Sequence, residues 1–152
     1  MDSRKRDAIN MLKRYTFWLK AAIVFQFLSA ALHSVSFFVE PDLHNDTERQ
    51  IHELITTYHP EMGLGFHPSF WNLFTALSAC FPLLCVLGGL TLAYLFRKRV
   101  AADVMRGIIL INLIVFGVCF VIMLLFTFPP PIIVTGFIFV TLLMAFILAP
   151  KS

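Results

Sequence analysis

The chain has 152 residues, 59% hydrophobic and only 14% charged, with 17 Phe and a formal net charge of +3. A soluble domain of this size carries about a quarter charged residues. Here the apolar residues gather into long blocks, which excludes a water-soluble globule and suits one membrane domain over residues 1–152.

Residues 1–14 read as a short basic amphipathic arm suited to a membrane surface. A first apolar block follows at 15–39 with one formal charge, Lys20. It is too long for a cleavable leader and has no evident small-residue cleavage site, so it is expected to be retained as a signal anchor. Within it Gln26, Ser29, His33 and Ser36 recur at helical spacing and form one polar stripe. A polar group facing lipid has no hydrogen-bond partner, so the stripe is expected to face other helices.

The connection 40–69 contains six acids and one base, Arg49. Ile51, Leu54, Ile55 and Tyr58 fall on one helical face, Thr47 and Gln50 have capping-box spacing, and Pro60 stops the run. An amphipathic helix is predicted over 47–58, lying across the outer mouth of the bundle. "GLGFHP" then supplies two glycines for a turn, and Pro68 introduces a second span over 70–96. That span offers Asn72 and Thr75, with Ser78 partly on the same side. Further uncharged blocks at 107–128 and 132–149 are joined by "FPPP", so the last two helices form an antiparallel hairpin, the last starting near Pro130 or Pro131. Gly117, Gly136 and the Gly89/Ala93 pair are candidate points of close helix approach. Trp18, Trp71 and Tyr94 sit near span ends, as interface anchors do.

The expected fold is therefore all-α, a polytopic four-transmembrane-helix bundle with an amphipathic outer helix between the first and second spans. Residues 1–20 hold six of the twelve Lys and Arg, and the loop 97–106 holds four more. By the positive-inside rule both termini face the cytoplasm and 40–69 lies outside, as in a multi-pass protein of a bacterial inner membrane. The topology, together with contacts to anionic headgroups, accounts for the bases, which leaves no nucleic-acid role.

His33, Ser36, Asn72 and Thr75 all fall in the outer half of their spans. With Gln26, and with Trp71 and His67 at the head of the second span, they form a candidate ligand cleft between the first two helices. The same groups also have a purely structural reading as interhelical hydrogen bonds. Asn112 falls in the inner half of the third span, too far along to join them. Glu48 and His52 are i, i+4 with His59 seven further on, but no second-ligand signature such as HExxH accompanies them, and no metal site is expected. Only His33 lies within a span, so a haem lacks its second axial ligand, and no cofactor is expected. Cys80, Cys85 and Cys119 form no CxxC, which sets aside a quinone-linked thiol oxidoreductase and leaves them as small apolar fillers. No Asp or Glu falls well inside a span, which argues against an isomerase or hydrolase; Glu40 and Asp42 are the acids nearest His33.

The "LHS" of the first span and "FHP…LFTALSACF" entering the second resemble a small family of four-span bacterial membrane proteins, which implies no activity. More distantly, His33, the 47–58 segment, "PSFWNLF" and Pro82 are similar to the EXPERA group, which includes emopamil-binding sterol isomerases and the sigma-2 receptor. That group implies four spans and a pocket for a lipid-like molecule. Its members carry acids within their helices, where this chain has "TALSAC". The expected function is binding of a hydrophobic or lipid-like ligand in an outer-leaflet cleft, with membrane lipids as surroundings. The alternatives are an accessory subunit, paired with a membrane partner or a second copy, and a membrane enzyme using His33 as acid or base.

Overall fold

The computed structural model describes the backbone of residues 3–150 and the side chains of residues 10 and 14–150. The side chains of Arg4, Lys5, Arg6 and Lys13, on which the basic surface arm rests, lie outside the described residues. The elements in chain order are α1 (Ser3–Val35), a 3-10 turn (Ser36–Phe38), α2 (Asp46–Thr57), α3 (Phe70–Lys98), α4 (Ala102–Phe126) and α5 (Pro129–Leu148). No strand occurs among the described residues. Four helices are long and apolar enough to cross a membrane, over Arg14–Phe38, Phe70–Lys98, Ala102–Phe126 and Pro129–Leu148.

The boundaries follow from local chemistry. No Gly or Pro interrupts Ser3–Val35, so the residues expected as a separate arm continue into the first span as one helix. The cap of α2 differs from the expected Thr47–Gln50 box. Asn45 is the N-cap, its side-chain oxygen accepting from the Glu48 backbone N–H at 2.9 Å. Glu48 reaches back to accept from the His44 N–H at 2.6 Å. Asn caps as well as Thr or better, and Glu at N3 closes the box, so α2 starts one residue earlier than predicted. The turn after α2 uses Gly63 and Gly65 at positive φ, with Leu64 between them at φ 54. Thr127 closes α4 by returning both its N–H and its hydroxyl to the Met123 carbonyl. Pro129, Pro130 and Pro131 then occupy the first turn of α5, where the absent N–H groups would have had no helical acceptor.

Contacts divide the chain into two units, one of Met1–Ser29 with Cys85–Ser152 and one of Ala30–Leu84. In the first, the buried positions include Leu19, Ala22, Gln26 and Ser29 on α1, Cys85 and Leu92 on α3, Ile109, Asn112 and Phe116 on α4, and Thr135, Ile138, Leu142 and Ala145 on α5. They recur at threes and fours, as in packed helix seams. Large apolar residues such as Val24, Leu87, Ile111, Val118 and Ile147 point outward. A soluble helix would put polar residues there; an apolar exterior around a small and partly polar interior suits lipid.

The α4–α5 hairpin locks by a reciprocal device. Phe139 lies over Gly117 and Phe120 over Gly136, a Cβ at either glycine falling 3.2 Å from the opposing ring. The two rings stack at 5.7 Å. Buried hydroxyls are satisfied within their own helices: Ser29 donates to the Phe25 carbonyl, Thr135 to that of Pro131 and Thr141 to that of Phe137, each at 2.7 Å. That local bond is what lets them enter an apolar interior.

Candidate functional site

The unit Ala30–Leu84 contains the end of α1, the 3-10 turn, an extended stretch, α2 and the first half of α3. Pro82 has no N–H for the Ser78 carbonyl, although α3 continues through it. The Ser78 hydroxyl meets His33 Nε2 at 2.8 Å. Phe37 and Phe81 flank the imidazole edge-on, at 5.5 and 5.3 Å between centroids. Ser36 turns back to donate to the His33 carbonyl at 2.6 Å, closing the end of α1.

From Phe37 onward the chain extends past α2 along an open cavity of about 420 Å³. Phe37, Phe38, Leu43 and Trp71 supply its apolar wall, with Glu40, His52 and Thr56 as polar groups. His52 and Thr56 are i, i+4 on α2 and therefore reach the cavity together. The His52 ring stands edge-on to Trp71 at 5.6 Å, and Tyr58 stacks on Phe70 at 5.7 Å, so two aromatic pairs fasten α2 to the head of α3. Ligand pockets are commonly of this size and lined in this way, mostly apolar with a few polar groups.

Of the seven residues expected to hold a ligand, only Trp71 lines this cavity. His33 packs against Phe37 and Ser36 bonds to the His33 carbonyl, neither lining the cavity. Asn72 is exposed, its N–H donating to Ser69 Oγ at 3.2 Å as part of the α3 cap. Thr75 is half-buried. His67 is exposed and accepts, through its carbonyl, a hydrogen bond from the His59 ring at 2.7 Å. Glu40, His52 and Thr56 were missed as a group; the i, i+4 pair on α2 was readable, whereas the return of Glu40 along the extended chain was not.

Gln26 belongs to the other unit, and there it meets the residue expected to stand apart. It is fully buried, and neither its Oε1 nor its Nε2 has a partner among the described residues. Its Oε1 and Asn112 Oδ1 converge on Gly88 of α3, at 2.5 and 2.7 Å from where a Cβ would be. Asn112 donates its amide to the Ile108 carbonyl at 3.0 Å. Two carboxamides from α1 and α4 thus share the space a missing side chain leaves on α3. No group of three or more His, Cys, Asp or Glu side chains that could hold a metal converges among the described residues. Glu48 serves its helix cap, His52 faces Trp71 and His59 faces the His67 carbonyl.

Four apolar helices of spanning length make the chain a multi-pass membrane protein by class. No family model, curated protein or solved structure matches it.

Proposed function

We propose that the chain binds a small hydrophobic or lipid-like molecule in the cavity of the Ala30–Leu84 unit, without transforming it. The carrying observation is the cavity of about 420 Å³ with its divided lining. An apolar body packs against Phe37, Phe38 and Trp71, while Glu40, His52 and Thr56 orient a polar head. His33 holds Phe37 through the Ser78 hydrogen bond, as a positioning residue. The distribution of bases favours a bacterial inner membrane with cytoplasmic termini and this cavity on the outer side.

An acid–base role for His33 needs a carboxylate at the ring. Asp42 instead lies 3.8 Å from His44 Nδ1, Glu40 lines the cavity, and Ser78 is the group at Nε2. The accessory-subunit reading draws on α2, where Ile51, Leu54 and Tyr58 are each more than half exposed. Native mass spectrometry in mild detergent separates these readings, using wild type and Trp71→Ala. A co-purifying small molecule lost in the variant is the expected result. Bare chain in both samples refutes ligand binding, and a retained partner protein in both favours the accessory role.

A further inference from the structure

The other unit carries a second site, of opposite charge. A cavity of about 260 Å³ lies where α1, the α3–α4 turn and the end of the chain meet. Tyr15 and Thr16 of α1, Phe96 of α3, Arg99 of the turn and Ala102 and Met105 of α4 line it. Three features bear on what it could hold. First, Arg99 borders it from a turn closed by Arg99 N–H to the Phe96 carbonyl and Val100 N–H to that of Leu95. Arg99 takes φ 53 there, where glycine is the usual helix terminator. Second, α4 begins at the cavity wall with Ala101 as N-cap and no side-chain cap. Its first N–H groups have no side-chain cap among the described residues, and Asp103 is the acid of that turn. Third, Tyr15 is part of the cavity wall and only 8% exposed.

The surrounding charge is mostly positive. Arg14, Lys20, Arg97, Lys98, Arg99 and Arg106 stand against Asp103, the one acid among the described side chains of this unit. None of these bases has a carboxylate within 4.0 Å among the described residues. Arg106 is otherwise engaged, lying over the Phe146 ring at 4.4 Å and donating to the Ala149 carbonyl. Arg99 has no such engagement. The apolar part of the lining, Phe96 and Met105, suits the glycerol and first methylenes of a lipid, and the volume suits a headgroup rather than a whole lipid.

We propose that this cavity holds the phosphate of an anionic phospholipid, with Arg99, the Tyr15 hydroxyl and the uncapped start of α4 as its donors. Arg99→Gly is the discriminating variant, because glycine keeps the left-handed turn at lower strain while removing the guanidinium. Purified full-length chain in detergent is titrated with phosphatidylglycerol or phosphatidylcholine and read by native mass spectrometry. Wild type should favour phosphatidylglycerol, and Arg99→Gly should lose about tenfold of that preference, as removal of a charge-assisted hydrogen bond does. Tyr15→Phe should lose a smaller share with unchanged melting. Equal binding of the two lipids by wild type overturns the proposal. So does an equal loss in Arg97→Ala/Lys98→Ala, which would mean diffuse surface attraction. Displacement of phosphatidylglycerol by inorganic phosphate at matched concentration would overturn the lipid source and leave a site for free phosphate.

Discussion

Replacing Gly88 by Ala tests the two-carboxamide arrangement directly. The new Cβ would lie 2.5 Å from Gln26 Oε1, 2.7 Å from Asn112 Oδ1 and 3.2 Å from a Phe116 ring carbon. Ordinary C···O approach is about 3.3 Å, so the two oxygens must withdraw by roughly 0.6–0.8 Å. Gln26 has no exposed surface to retreat into, and Asn112 is tethered to the Ile108 carbonyl. Overpacking of this kind costs about 1–3 kcal/mol. Alanine recovers up to ~1 kcal/mol through its better helix propensity. The net loss expected is up to about 2 kcal/mol, an up to roughly thirtyfold fall in the folded-to-unfolded ratio. Equilibrium unfolding by SDS in mixed micelles, followed by circular dichroism, measures it. Gln26→Ala combined with Gly88→Ala removes the closer of the two oxygens, so the double variant should lose less than the two singles added together, by about 1 kcal/mol. A gain in stability in Gly88→Ala, or strict additivity in the double variant, would refute the arrangement.

The remaining predictions concern α2 and the topology. Asn45→Ala removes the N-cap and should destabilise the first turn of α2 by ~1 kcal/mol, read as about fivefold faster hydrogen exchange at Glu48 and Arg49. Unchanged exchange would show that Glu48 alone holds the helix start. In a chain with Cys80, Cys85 and Cys119 replaced by Ala, Glu61→Cys should react with a membrane-impermeant maleimide in intact spheroplasts. Arg97→Cys should react only after permeabilisation, and the reverse pattern would invert the proposed orientation.

Much of the architecture was legible along the chain because its determinants are local. Uncharged blocks of spanning length become helices whatever surrounds them, since only a helix satisfies its own backbone in lipid. The three prolines after Phe128 and the run Ile51, Leu54, Ile55, Tyr58 likewise carry their meaning within a turn or two of helix. The cap of α2 was misread by two residues because Thr47–Gln50 and Asn45–Glu48 both satisfy the capping spacing, and only the folded turn shows Glu48 reaching back to the His44 N–H.

The polar stripe on α1 marks what periodicity leaves open. Spacing shows that Gln26, Ser29, His33 and Ser36 share a face, but a shared face names no partner. Ser29 and Ser36 spend their hydroxyls on their own helix, His33 reaches Ser78, and Gln26 meets Asn112 over the bare backbone of Gly88. The cavity of the Ala30–Leu84 unit depends in the same way on an extended chain that carries Glu40 back beside His52 and Trp71. The sequence by itself therefore determined the helices to within a few residues of most of their ends, because those follow from contacts a few residues apart. The tertiary structure decided the partners of the buried polar groups, because they depend on how each helix is turned about its axis and on the course of the connections between helices.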